Sequence, residues 1–189
     1  MKKKTIIIPT LLFVVGIIGA ICVIVLWDRS DSAEQLKFEY EKSKSGVIVT
    51  GFTGEPKAII IPDEIDGYPV TEIDYNAFFG CDVLTEITLP KSVISIGDMA
   101  FSGCSSLTQA VIPEKTESIG EWAFFRCNSL KQITVPSSVT FIDTAAFSGC
   151  SALESVYYAG TQEMWKQIEI GYENVPLFDA KKIFSSAEP

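Results

Sequence analysis

Four cysteines stand 23 residues apart: Cys81, Cys104, Cys127 and Cys150. Thiols can pair as disulfides, hold a metal as thiolates or act as nucleophiles, so this spacing is the first chemistry to test. Equivalent positions in a stack of like units lie about 4.8 Å apart with parallel Cα–Cβ vectors. A disulfide wants Cβ atoms near roughly 3.8 Å with converging vectors. A linear stack also cannot supply the tetrahedron that a four-thiolate zinc site needs. The chain has no histidine, which excludes Cys-His and Ser-His-Asp catalysis and any imidazole metal site. The four thiols are expected to be reduced and buried, acting as small apolar side chains. A fifth, Cys22, follows Gly19-Ala20-Ile21, but a lipidation box wants a small residue where Ile21 stands. It reads as part of an apolar helix. Asp63, Glu64 and Asp66 with Gly67 raise a calcium loop, yet their spacing misses the alternating ligand pattern. The other acids are scattered, with no carboxylate pair in a cleft for glycoside hydrolysis. The expectation is therefore no catalytic residue, no metal, no cofactor and no enzyme.

The elements that set this spacing are a 23-residue repeat running four times through residues 70–161. Its columns are Ile73, Ile96, Ile119 and Ile142, then the Ala-Phe pairs from Ala77-Phe78 to Ala146-Phe147, then the cysteines, then Leu84, Leu107, Leu130 and Leu153. A fixed period of this length marks a solenoid. In Leu107-Thr108-Gln109-Ala110-Val111-Ile112-Pro113, Leu107, Ala110 and Ile112 point inward, and Thr108, Gln109 and Val111 point outward. Pro90, Pro113 and Pro136 end the strands, because proline cannot donate to a ladder. Val93-x-x-Ile96 is a second extended segment. Gly97 and Gly120, with Asp74 and Asp143 in the same column, are expected to take the positive φ of a turn. Ala100-Phe101-x-x-Cys104 reads as a helical turn.

Charge divides the chain. Net charge is −9, but Lys2, Lys3 and Lys4 lie at one end, and all 24 acids lie from Asp28 onward. The body is thus strongly acidic and repels nucleic acid, which excludes it as a partner. Residues 5–27 are uncharged and mostly apolar. As a helix they would be about 35 Å long, enough to cross a bilayer. The flanking charges put residues 1–4 in the cytoplasm as a basic tip and the body outside. With no convincing small-x-small site after Trp27, a retained signal-anchor is favoured over a cleaved peptide.

Residues 28–36 are a polar linker. Residues 37–69 hold a β-hairpin cap, with Phe38 and Tyr40 on one face, and a degenerate first coil around Ile59-Ile60-Ile61-Pro62. Residues 162–189 are a C-terminal cap, in which Glu163–Ile168 is a short amphipathic helix whose Trp165 shields the last coil.

The pattern Leu84-x-x-Ile87-x-Leu89-Pro90-x-x-Val93-x-x-Ile96-Gly97-x-x-Ala100-Phe101-x-x-Cys104 resembles the BspA-like, or treponemal-type, leucine-rich repeat over about residues 70–161. Ala110, Arg126, Val156 and Tyr158-Ala159 depart from it. The resemblance implies an α/β leucine-rich repeat solenoid, a short horseshoe-like right-handed coil with a parallel sheet on its concave face. It also implies a surface or secreted protein associated with adhesion. It brings no catalytic residues.

If the concave sheet binds, three outward columns carry the contact. They are Thr85, Thr108, Lys131 and Glu154; then Glu86, Gln109, Gln132 and Ser155; then Ile60, Thr88, Val111, Thr134 and Tyr157. The third is apolar for a solvated strand, and tyrosine is a good anchor type. The leading reading is a membrane-anchored extracellular module that binds a protein or glycan on a cell surface or matrix. The rival is a structural spacer with no specific ligand.

Overall fold

A computed structural model describes residues 4–7 and 36–185 of the chain. Before the repeats lie β1 (Lys4–Ile7), β2 (Lys37–Lys42), β3 (Val47–Thr53), β4 (Ala58–Ile60), β5 (Glu64–Ile65) and β6 (Tyr68–Ile73). The repeats then alternate two kinds of strand. One kind comprises β7 (Glu86–Thr88), β9 (Gln109–Val111), β11 (Gln132–Pro136) and β13 (Ser155–Ala159). The other comprises β8 (Ser95–Ile96), β10 (Ser118–Ile119) and β12 (Phe141–Ile142). The tail holds α1 (Gln162–Trp165), β14 (Glu169–Ile170), α2 (Val175–Asp179) and β15 (Lys181–Phe184).

Each coil contributes one strand to each of two ladders. One ladder runs β1-β2-β3-β6-β8-β10-β12-β14, parallel from β3 onward. Its register keeps the isoleucine column intact, with Val49 against Ile73, Ile73 against Ile96, Ile119 against Ile142 and Ile142 against Ile170. The other wall is built of β4-β7 and β9-β11-β13-β15.

The core follows from the repeat. Phe78, Phe101, Phe124 and Phe147 are fully buried and form a continuous stack, with centroids 5.2–5.3 Å apart and ring planes within 15° of parallel. This spacing is the pitch of the coil. Phe52 of β3 starts the stack, 5.1 Å from Phe78. The hairpin therefore caps the solenoid with a ring as well as with a strand, and Phe38, Tyr40, Val47 and Val49 are buried beneath it.

Three expectations are corrected. First, the repeats close through tight turns, not α-helix. Phe79 N–H donates to Asn76 O and Cys104 N–H to Phe101 O, each three residues back. Among the described residues the only helices are α1 and α2 in the tail, so the repeat region is a β-solenoid and not α/β. Second, positive φ falls at Asn76, Met99, Trp122 and Ala145, and again at Gly80, Gly103, Arg126 and Gly149. It does not fall at Gly97 or Gly120. Those glycines answer to close approach instead, since a Cβ on Gly97 would lie 2.9 Å from the Ile73 carbonyl oxygen and one on Gly120 would lie 2.7 Å from the Asp98 nitrogen. Third, Thr5, Ile6 and Ile7 are not the first turn of a helix. They are extended and paired with Glu39, Phe38 and Lys37. Two of the three are isoleucine and the other threonine, all β-branched, which suits an edge strand. The rest of the expected span, residues 8–27, lies outside the described residues, as do Cys22 and most of the linker. No helix among the described residues is long and apolar enough to cross a membrane.

Candidate interaction surface

The wall built from the leucine-containing strands presents the three columns to solvent. Parallel pairing sets Gln132 beside Gln109 and Ser155, Thr134 beside Val111 and Tyr157, and Ile60 beside Thr88. Alternation does the rest: Ala110, Ile133 and Val156 turn into the core, so their neighbours turn out. Glu86, Thr88, Thr108, Gln109, Lys131, Gln132 and Glu154 are exposed, while Thr85, Thr134 and Ser155 are half-buried. The apolar members stand well into solvent, Ile60 at 62%, Val111 at 60% and Tyr157 at 37% exposure.

The surface is not uniform. Between β7 and β9 the ladder breaks, and Thr108 N–H donates to Thr85 O there at 3.3 Å. Two predicted contacts are already engaged. Thr85 Oγ1 donates to Lys57 O at 2.8 Å, and Thr108 Oγ1 donates to Thr85 O at 3.4 Å. They tie adjacent coils together and are less available to a ligand. Lys131 and Glu154 back up to the same ladder through their amides, and their side chains stay outward.

The sequence reading missed β15. It sets Ile183 beside Tyr157 and Lys181 beside Ser155, extending the second and third columns by one strand. The alternation in Lys181-Lys182-Ile183-Phe184 was the available signal. Thr134, Tyr157, Ile183 and Phe184 line an apolar dimple of about 130 Å³. Small-molecule pockets run to roughly 300–1,000 Å³, so this face suits an extended partner better than an engulfed ligand. Its charges nearly balance, with Lys131 and Lys181 against Glu86 and Glu154, in a chain whose net charge is −9.

The cysteines are positioned for packing. All four in the repeats are free, and Cys104, Cys127 and Cys150 are buried. Their thiols donate to the carbonyl of the phenylalanine one coil back, Cys104 to Phe78, Cys127 to Phe101 and Cys150 to Phe124, at 3.1–3.2 Å. Hydrogen bonding to the Cys81 sulfur, and then burial, pushes the Cys104 thiol well up. Hydrogen bonding to Cys150 and burial do the same for Cys127. These two interior thiols thus stay protonated, which is the wrong state for a metal ligand or nucleophile. Half-buried Cys81 is shifted the other way by the Cys104 thiol.

The acidic insertion is a clamp. Asp66 accepts from the Tyr40 hydroxyl at 2.8 Å and pairs with Lys42 at 3.2 Å, and Lys42 also lies 4.2 Å from the Tyr68 ring centroid. Asp63 accepts from the Lys91 amide. No group of three or more metal-ligating side chains occurs among the described residues.

A family model described as BspA type leucine-rich repeat region matches residues 57–168 in six copies. The chain is similar to the crystal structure of a leucine-rich repeat protein of T. pallidum, with 36% identity and a TM-score of 0.65, covering 71% of this chain and 61% of that one. It is also similar to a leucine-rich repeat protein of Bacteroides capillosus, at 34% identity and a TM-score of 0.59, covering 65% of this chain and 94% of that one. A leucine-rich cell surface protein of Faecalibacterium prausnitzii shows 28% identity and a TM-score of 0.56, over 70% of this chain and 40% of that one. The chain thus spans about three fifths of the treponemal protein and two fifths of the Faecalibacterium one. No curated relative matches.

Proposed function

The chain belongs to the BspA type leucine-rich repeat family, and from that premise we propose that it is a non-catalytic interaction module of the cell surface. It holds a protein or glycan on a neighbouring cell or matrix against the wall of β4, β7, β9, β11, β13 and β15. Residues 5–27 anchor it in a membrane, with the repeats outside, in a state in which β1 has left β2. The observation that carries this reading is the third column. Ile60 and Val111 are each about three fifths exposed on a nearly charge-balanced sheet, with Tyr157 and Ile183 at one end. Around them Gln109 and Gln132 stand side by side in register and exposed. Apolar anchors set among uncharged hydrogen-bonding groups are the ingredients of a contact face. The similar Faecalibacterium protein is a leucine-rich cell surface protein, which supports this reading.

The test is direct binding. The full chain in detergent is immobilised and titrated with purified matrix proteins and a glycan panel, beside a variant carrying Val111→Glu, Lys131→Glu and Tyr157→Ala with an unchanged melting curve. Saturable binding by the parent, weakened tenfold or more in the variant (about 1.4 kcal/mol), is expected. Equal binding by both would reject this face, and binding by neither would favour a spacer without a ligand.

A further inference from the structure

The turns on the other side of each coil form a second surface, one that the repeat pattern does not call for. Bonds from Asn76 N to Asp98 O, Met99 N to Glu121 O and Trp122 N to Thr144 O lock successive turns into register. They place Tyr75, Asp98 and Glu121 in one column and Asn76, Met99 and Trp122 in the next. Gly80 N to Ser102 O and Gly103 N to Phe125 O set Phe79, Ser102 and Phe125 in a third. Rings stand outward here, with Tyr75 at 55%, Phe79 at 58% and Trp122 at 36% exposure.

Trp122 is out of place by the logic of the fold. Its φ is +55°, a conformation that suits the asparagine found at position 76 and disfavours a bulky side chain. The coil does not need an indole there, since methionine and alanine fill the same column at 99 and 145. The charges around it are mostly acidic. Asp74 and Asp143 directly follow the isoleucine column, and Asp98 and Glu121 stand one place further on. None makes an ion pair with a described lysine or arginine, and Asp98 and Asp143 accept the backbone N–H of Glu121 and Thr144. Arg126 is the exception, its guanidinium 5.1 Å from the centroid of the Phe125 ring on the same face.

Aromatic faces set among carboxylates that lack an ion-pair partner are complementary to a cation that is also apolar in its stem. We infer that this turn face is a docking surface for a basic polypeptide segment bearing arginine or lysine. A guanidinium or ammonium sits over Trp122, between the carboxylates of Asp98 and Glu121. Apolar residues of the same segment pack on Phe79 and Tyr75, both two coils from Trp122 at the 5.2 Å pitch. This surface is separate from the strand wall and does not depend on that wall binding anything.

The probe is a short fluorescent peptide alternating arginine and leucine, with a glutamate-leucine peptide as control, titrated with the full chain and read by anisotropy. Saturable binding of the arginine peptide alone is expected. Trp122→Asn should weaken it about tenfold without lowering the melting temperature, because asparagine suits the backbone and leaves the charge unchanged. Asp98→Asn with Glu121→Gln should weaken it similarly and flatten its salt dependence. The Val111→Glu, Lys131→Glu, Tyr157→Ala variant should bind the peptide as the parent does, which separates this surface from the strand wall. Unchanged affinity in the Trp122 variant would overturn the proposal, as would loss only in the strand-wall variant. Displacement of the peptide by tetramethylammonium alone would overturn a polypeptide as the occupant.

Discussion

At the scale of the residue, the repeat is held by side chains that do one thing many times. Phe101 shows this best. It is fully buried, its ring lies 5.2 Å from both Phe78 and Phe124, and its carbonyl accepts the Cys127 thiol. Truncation would open a cavity with a stacked ring on each side that cannot close, because the pitch is fixed by two ladders. Phe101→Ala is therefore expected to cost about 3–5 kcal/mol. A urea midpoint equal to that of the parent would show the ring to be dispensable. The cysteines repeat a smaller logic. A thiol fits the space, and its weak donor meets a second lone pair on a buried carbonyl. Their period alone argued against disulfides, whereas the carbonyl partner one coil back depends on three-dimensional stacking and was not readable.

At the scale of the element, the ends of the solenoid carry the information that the repeat lacks. Within the array, Phe78, Phe101 and Phe124 each donate an N–H to an alanine carbonyl in the next coil. Phe147 has no such alanine. Asn174 replaces it, accepting the Phe147 N–H through Oδ1 at 3.0 Å and donating through Nδ2 to Asp143 O and Gly171 O at 2.9 Å. One buried amide thus completes a coil that the backbone leaves open. Asn174→Leu leaves the Phe147 N–H and the Asp143 carbonyl without this partner, at an expected cost of about 1–3 kcal/mol. Hydrogen exchange should quicken first at Phe147. Unchanged protection there would mean the tail is not held by this side chain. Inward and outward positions of the strands, the hairpin cap and the burial of Trp165 were legible, because each follows from alternation or from a periodic column. The continuing coil in the tail was half legible. Glu169-Ile170-Gly171 repeats the Ser118-Ile119-Gly120 pattern and forms β14 in the same ladder, but the helices between its strands break the period. Phe52 as the first ring of the stack left no local mark, since it depends on how β3 docks. The left-handed positions misled for a physical reason: glycine at 97 and 120 relieves a close contact, while the turns that need positive φ carry Met99, Trp122 and Ala145.

At the scale of the whole molecule, the first strand and a membrane anchor make incompatible demands. β1 pairs antiparallel with β2, with Ile7 opposite Lys37 and Thr5 opposite Glu39. Both ends of the apolar stretch are then on one side of any bilayer. If residues 8–27 cross a membrane, Ile7 and Lys37 are on opposite sides and the pair cannot exist. Residues 28–36 could reach back at most about 30 Å, only the thickness of the hydrocarbon core, and they carry Asp28, Arg29, Asp31 and Glu34. Inserting those charges is costly enough to exclude the return path. Anchoring therefore requires β1 to leave, which uncovers the outer edge of β2. The register supplies the test, through Thr5→Cys with Glu39→Cys in a chain synthesised with and without lipid vesicles. Oxidant should close the cross-strand disulfide without lipid and fail to close it in the inserted chain. Equal yields in both would show that the stretch does not span, and closure in neither would remove β1 from the cap.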